Sequence, residues 1–331
     1  MQKPLLKLQW ERFQAHVDLD ADMAANMLAP YNKDAIEQVI LLSEGCANTN
    51  YKITFKNNNQ PLVIRIYMRD TSALQLEVAI HQFVKGKIPV PAHLYFDDTC
   101  TVFPYPYSVM EWIEGKLMRE IIITGDTNAI SECSYDAGKY LSILSQIKFS
   151  QSGFFENDLR IKPFSKDEEY LPYVLNLLRE KNVIENLGTN LVNAIKTLVN
   201  EYAELFDESI KPNLTHSDYD PANILIKMDK GKHKIAAILD WEFAYSGTYY
   251  LDMGLMLRYS HRLPTCFEER FITSMKDHGI ELSAQWKKKA KLMDLLCLLQ
   301  LIHYNPVSER PNMNKDIVSL VSDVAINWKH Y

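Results

Sequence analysis

Two polar stretches flanking a short hairpin constrain this chain of 331 residues more than any other feature does. The first reads Leu214-Thr215-His216-Ser217-Asp218-Tyr219-Asp220-Pro221-Ala222-Asn223-Ile224-Leu225-Ile226, and the second Ile238-Leu239-Asp240-Trp241-Glu242. An Asp is followed five positions later by an Asn, and a second Asp ends a β-like apolar run. The apolar runs Ile224–Ile226 and Ile235–Leu239 turn at Asp229-Lys230-Gly231, so 224–239 reads as a hairpin with polar groups displayed at its strand ends. Asp218 can accept the proton of a hydroxyl or orient it. The amide oxygen of Asn223 and the carboxylate of Asp240 are hard ligands of the kind that hold Mg2+ on a triphosphate. For an isolated Asp-x4-Asn, a plain polar turn is the better reading. The flanking strands, the second Asp and a suitable N-terminal half favour the chemical one.

The rest of the chain divides by pattern. Residues 1–38 read as helical, with Asp34 opening a short apolar-periodic turn. From Val39 to about Trp112 the signals are β-rich: Tyr51–Phe55 and Leu62–Tyr67 form a hairpin around the Asn57-Asn58-Asn59-Gln60 turn, and His93–Phe96 and Tyr107–Trp112 add strands. Between them Thr71 or Ser72 caps a helix that carries Leu76, Ala79, Ile80 and Phe83 on one face and ends near Gly86. Beyond Gly115 helical patterns dominate, at 127–147, 168–180, 185–206, 251–260, 267–278, 284–303 and 314–328. The expected architecture is α+β and bilobal: a small β-rich N-lobe (1–112) and a larger helical C-lobe (113–331), with a cleft between them and Glu111 to Lys116 as connector.

His216-Ser217-Asp218-x4-Asn223 together with Leu239-Asp240-Trp241-Glu242 resembles the aminoglycoside phosphotransferase / choline kinase family, a branch of the protein-kinase-like fold. The resemblance covers roughly residues 39 to 260. The family usually has Gly where Ser217 stands, and often His-Pro-Gly where this chain has Asp220-Pro221-Ala222. It implies an ATP- and Mg2+-dependent phosphotransferase with Asp218, Asn223 and Asp240 as catalytic residues and the last two as metal ligands. His216 would brace the loop, and Asp252 would cap or brace it from a helix start.

The same resemblance places a nucleotide site in the N-lobe. Ser43, Gly45 and Asn48, within Leu42–Tyr51, stand where a phosphate loop belongs; a single Gly in a polar turn is weak evidence alone. Arg65, in Val63-Ile64-Arg65-Ile66, occupies the position of the phosphate-holding Lys of protein kinases, and Glu77, in the next helix, would orient it. An exposed strand residue and a helix-surface carboxylate are the alternatives for this pair. Ser108–Gly115 resembles the family's hinge, where backbone groups of Glu111 and Ile113 would read the adenine edge with Met110 behind. An ordinary edge strand running into a loop fits that stretch as well.

Acceptor selection falls to the helical lobe. Tyr245, Tyr249, Tyr250, Tyr259, His303 and Tyr304 could hold an ammonium by cation–π attraction, although core packing is the commoner use of each such ring. The partner is then a small-molecule hydroxyl acceptor of amino alcohol, aminoglycoside, homoserine or sugar type, and the sequence does not choose among them. A net charge of −6 disfavours non-specific nucleic-acid binding, which needs basic surface. No stretch approaches the ~18 apolar residues that span a bilayer. Residues 1–14 contain charges throughout and no apolar signal core. Five scattered cysteines without CxxC spacing fit a reducing compartment, so a cytoplasmic protein without a membrane partner is expected. A protein kinase would show Asp-Phe-Gly and Ala-Pro-Glu; this chain has Asp240-Trp241-Glu242 and no Ala-Pro-Glu. A catalytically silent nucleotide-binding scaffold would lack the base or a metal ligand, and all three residues are present.

Overall fold

Alternating apolar residues make the first layer. The computed structural model of the chain describes residues 6–42, 47–57, 59–68, 72–207 and 211–331. Helix α1 (Ala21–Leu28) is capped by Asp20, whose side chain accepts from the Met23 N–H at 2.7 Å. Strands β1 (Ile36–Leu42), β2 (Thr49–Phe55) and β3 (Leu62–Ile66) follow, then helix α2 (Ala73–Val84) and strands β4 (His93–Asp97) and β5 (Tyr107–Glu111). They form one antiparallel sheet in the order β1-β2-β3-β5-β4. Tyr51, Ile53 and Phe55 alternate inward on β2 and pack with Met27 and Leu28 of α1.

Two sequence expectations fail in this lobe. Within the described residues before 38, the only α-helix is α1, and the segment after Asp34 becomes β1. Ile36, Val39 and Leu42 are the half-buried positions of that strand, a spacing of three that imitates a helix. A bulge between Ile36 and Gln38 resets the pleat, which breaks the period of two. Helix α2 buries more than the expected face: Ile80 is buried and Leu76 and Ala79 half-buried as expected, but Phe83 is exposed and Leu74, Glu77, Val78, His81 and Val84 are buried as well. The helix lies between two cores: Leu74 and Val78 pack near Tyr67, while Ile80 and Val84 enter the helical core. Thr71 lies outside the described residues.

The connector after β5 passes so close to the next layer that a Cβ on Gly115 would meet the Ile226 carbonyl oxygen at 2.8 Å. Beyond it come β6 (Lys116–Leu117), α3 (Met118–Ile123) and the 20-residue α4 (Thr127–Gln146). Strands β7 (Gly153–Phe155) and β8 (Ile161–Pro163) precede helices α5 (Tyr170–Leu177), α6 (Lys181–Leu187) and α7 (Thr189–Glu201). The single helix expected over 185–206 is broken because Gly188 adopts φ +76°, a left-handed conformation that ends α6 and starts α7. Strands β9 (Asn213–Thr215), β10 (Ile224–Asp229), β11 (Lys232–Ile238) and β12 (Tyr245–Gly247) surround the two motif stretches. Helices α8 (Tyr249–Met256), α9 (Cys266–Asp277), α10 (Trp286–Tyr304) and α11 (Pro311–Asn327) complete the chain. Two small sheets result, β11-β10-β6 and β8-β7-β12-β9. One large apolar core joins α4 to α8–α11 and reaches α2. The architecture is thus a β-rich lobe followed by a larger helical one, as the sequence patterning predicts. Among the described residues no helix is long and apolar enough to cross a membrane.

Candidate active site

Strand pairing brings the two motif stretches together. Ile224 pairs with Ile238 across β10 and β11, and the Leu239 N–H donates to the Asn223 carbonyl at 2.8 Å. Asn223 and Asp240 therefore flank the same end of the hairpin. Asn223 turns its amide nitrogen toward Asp218, donating to the carbonyl at 2.9 Å and to Oδ2 at 2.7 Å. That leaves its amide oxygen as the group offered outward. The intervening residues form a tight turn, in which the Asp220 carboxylate accepts from the Ala222 N–H at 2.7 Å.

The backbone here is held, not merely turned. Ser217 and Asp240 both have left-handed φ, at +69° and +62°. For a non-glycine residue this conformation persists only where surrounding contacts enforce it. Asp252, fully buried in the first turn of α8, supplies two of them: its oxygens accept from the N–H groups of His216 and Ser217, each at 2.8 Å. Burial raises the Asp252 pKa to about 7, against the pull of those two N–H donors. The buried His216 ring donates from Nε2 to the Leu239 carbonyl at 2.9 Å, and its Nδ1 accepts from the Asp218 N–H at 3.2 Å. Burial lowers the His216 pKa and keeps the ring neutral, in keeping with this donor–acceptor pattern. The imidazole lies 4.4 Å from the ring of Trp241, which is fully buried.

The sheet lobe meets this loop through Arg65 and Glu77. Arg65 Nε is 3.1 Å from Glu77 Oε2, and Arg65 Nη1 pairs with Asp240 Oδ1. Glu77 also accepts from the Tyr67 hydroxyl and, at 3.3 Å, from the Trp241 N–H. Burial opposes ionisation of Glu77, but the Arg65 guanidinium outweighs it and holds the carboxyl down to about 2. Arg65 Nη2 is buried with no hydrogen-bond partner among the described residues. Asn48 donates to Glu242 Oε2 at 3.0 Å, a further link between the lobes. Burial raises Glu242 to about 7.

The predicted residues thus separate into groups. Arg65, Glu77 and Asp240 form one charged group and Asp218 with Asn223 another, linked by the Leu239–Asn223 backbone bond and by His216; Asn48 bonds to Glu242, two residues beyond Asp240. Met110 sits opposite Val63, two positions along the ladder from the Arg65–Ser108 pair, on the face that carries Arg65. Glu111 is exposed at the end of β5 and Ile113 is half-buried in the connector. The Glu111 N–H already donates to the Ala92 carbonyl, so its carbonyl is the backbone group it can offer. Ser43 and Gly45 lie outside the described residues. Among the acceptor candidates, Tyr245, Tyr249, Tyr250 and Tyr259 are buried: Tyr245 shares a hydrogen bond with Tyr170, Tyr249 stacks on Tyr250, and Tyr259 donates to Asp316. They serve packing. His303 is half-buried beside Glu180, and Tyr304 is exposed.

Lys7 belongs to the site and was not foreseen. Its ammonium donates to Asp218 Oδ1 at 3.0 Å and pairs with Asp220 Oδ2. Burial disfavours that charge, yet the two carboxylates hold the Lys7 pKa above the ordinary lysine value and that of Asp218 below the usual carboxylate range. A lysine between Leu6 and Leu8 carries no sequence signal of such a role.

Hard oxygen donors are what Mg2+ requires, and the outward amide oxygen of Asn223 beside the Asp240 carboxylate fits that requirement. Among the described residues no cluster of three or more His, Cys, Asp or Glu side chains forms a metal cage. Two protein ligands completed by phosphate oxygens is the arrangement Mg2+ commonly takes with nucleotides.

Comparison with known proteins bears on the same region. The model of the APH phosphotransferase enzyme family matches residues 38–276. A search of curated proteins returned no match. Among solved structures, the GDP complex of wild-type aminoglycoside 2'-phosphotransferase-IIIa superposes with a TM-score of 0.71 at 15% identity, covering 93% of this chain and 99% of that one. A thermostable mutant of aminoglycoside phosphotransferase APH(4)-Ia, in ternary complex with AMP-PNP and hygromycin B, gives 0.65 at 14% identity, covering 91% and 98%. ADP-bound aminoglycoside phosphotransferase APH(2'')-Ib gives 0.61 at 17%, covering 93% and 98%. At these identities the superpositions establish a shared fold.

Proposed function

Because the chain belongs to the APH phosphotransferase enzyme family, we propose that it moves the γ-phosphoryl group of ATP to a hydroxyl of a small molecule of amino alcohol, aminoglycoside, homoserine or sugar type. The observation that carries this reading is the convergence of Asp218, Asn223 and Asp240 at one hairpin end, facing the Arg65–Glu77 pair.

In this reading Asp218 aims the acceptor hydroxyl and takes its proton as the new phosphorus–oxygen bond forms and the bond between the γ-phosphorus and the β,γ-bridging oxygen breaks, ADP leaving. Asn223 and Asp240 hold Mg2+, which when bound neutralises charge on the phosphate oxygens. The unpartnered Nη2 of Arg65 donates to phosphate, and Glu77 keeps the guanidinium in register. The phosphate loop is assigned to Asn48 and to Ser43 and Gly45, which lie outside the described residues; Met110 and the backbone of Glu111 and Ile113 border the adenine. The lobes divide at 112/113. A cytoplasmic setting suits an ATP-using enzyme whose Cys100, Cys133, Cys266 and Cys297 are free thiols.

The test is a phosphorylation panel with purified protein, Mg2+ and ATP against amino alcohols, aminoglycosides, homoserine and sugars. At least one acceptor is expected to be phosphorylated. Asp218→Ala should bind nucleotide yet lose that turnover. Nucleotide binding without turnover across the whole panel would instead favour a silent scaffold.

A further inference from the structure

We propose that Lys7 is an internal occupant of the acceptor position: residues 6–12 form a strap whose ammonium sits on Asp218 where an acceptor hydroxyl would bind, and an acceptor must displace it. This rests on the reading of Asp218 as the carboxylate that orients the acceptor.

The argument begins with how Asp218 is occupied. Asn223 donates to Oδ2 and Lys7 to Oδ1, so each carboxylate oxygen already accepts a bond from the protein. The Lys7 side chain is only 12% exposed, and its charge is shared with Asp220. A hydroxyl approaching Oδ1 meets the ammonium first. Lysine is among the side chains that lose most rotamer freedom on burial, so its placement here needs strong local partners. The two carboxylates provide them.

The strap is anchored through Trp10, Glu11 and Arg12, with Leu6 packed in the core on the other side of Lys7. Trp10 Nε1 donates to the buried Asp316 at 3.0 Å. The Glu11 carboxylate accepts from the N–H groups of Asn312 and Met313, at 2.8 and 3.1 Å, in the first turn of α11. Arg310 donates to the Glu11 carbonyl at 3.0 and 2.7 Å. Arg12 then reaches the other lobe, donating to the carbonyls of Ala47 and Asn48 at 3.3 and 3.1 Å. Residues 10–12 therefore tie the last long helix to the stretch preceding β2, and Lys7, three residues before Trp10, reaches Asp218. Leu6 and Lys7 have left-handed φ of +52° and +58°, a bend these contacts sustain. Leu6 is buried in the helical core and Trp10 packs against it, while the contacts made by Lys7 itself, to Asp218 and Asp220, are polar and can be exchanged for a ligand's own donors.

The experiment measures Mg2+-dependent ATP hydrolysis by the full chain without added acceptor, so that water is the acceptor. If Lys7 blocks Asp218, Lys7→Met raises hydrolysis at least roughly tenfold, the response to a bias of about 1.4 kcal/mol in the open population. Trp10→Phe, which cuts the Asp316 anchor but keeps the ammonium and both carboxylates, raises it by a smaller factor. Thermal melting establishes that each variant is folded. A folded Lys7→Met with a rate at or below wild type, alongside an unchanged Trp10→Phe, overturns the strap while leaving Asp218 to its own test. The double variant Lys7→Met/Asp218→Ala separates the two ideas. Loss of the gained rate supports both. Persistence of it removes Asp218 from the chemistry, and the strap as stated falls with it.

Discussion

Arg65 and Glu77, on the sheet side of the site, lie on neighbouring elements of one lobe, whereas the partners that meet on the helical side, Lys7 and Asp218, are 211 positions apart. The sheet-side pair is almost fully buried beside Tyr67, whose apolar cluster includes Leu74 and Val78. Its charges offset each other, and Tyr67 and the Trp241 N–H donate to Glu77, while Arg65 Nη2 has no partner among the described residues. The helical-side cluster is looser: Asp218 is 28% exposed, and Lys7 reaches it from a strap held by the packing of Leu6 and Trp10 together with polar bonds. A clamp that must hold phosphate in one place gains from the first arrangement. A position that must admit and release different atoms gains from the second.

Substitutions test that contrast. The largest effect is expected at Asp240, which belongs to both sides: Asp240→Ala should lower phosphoryl transfer by roughly 10³-fold or more in steady-state kinetics, with a melting temperature close to wild type. Retained turnover would break the link between hairpin end and clamp. Next, Glu77→Gln leaves the Arg65 guanidinium buried with one carboxylate fewer, and should cost about 3–5 kcal/mol in urea unfolding. Lys7→Met should cost clearly less; an equal loss would mean the strap is as structural as the clamp.

Acid titration sharpens the comparison further. Glu77 falls from 4.5 to about 2 in the folded protein. A carboxyl whose folded pKa is depressed stabilises the fold above its unfolded pKa, because the unfolded chain binds more protons between the two values. Its contribution of about 3 kcal/mol is fully present above pH 4.5 and is lost as pH falls toward 2. Unfolding free energies measured down this range should decline more steeply for wild type than for Glu77→Gln. The smallest effect is expected at Ser217→Gly: removing a Cβ from φ +69° should change stability by no more than about 1 kcal/mol, in the favourable direction.

Ser217 also shows what a sequence carries without displaying it. The left-handed φ of Ser217 is one that Gly adopts most easily; Asp252, bonded to the N–H groups of His216 and Ser217, is how this chain holds a side chain there. The β1 segment is the opposite case. Its half-buried spacing of three imitates a helix, the irregularity between Ile36 and Gln38 accounts for the first of those steps, and pairing with β2 shows the segment to be a strand. The tyrosines of α8 and its neighbours carried a signal for ammonium binding that burial reassigns to the core. Lys7, Trp10 and Asp316 carried none, because three side chains from opposite ends of the chain have no shared period or spacing to detect.

Sequence alone determined the hairpin and the polar groups at its ends, since period-two apolar runs and a Gly turn are local properties that strand pairing simply closes. It also determined the order of lobes, through the change from alternating to helical patterns near Gly115. Tertiary structure decided which charges meet. Whether Glu77 faced solvent or Arg65, whether Asp218 stood open or beneath an ammonium, and whether the aromatic rings lined a site or filled a core all depended on burial. Burial is a property of the packed whole, where the cost of an unpaired charge selects the partner, wherever in the chain that partner lies.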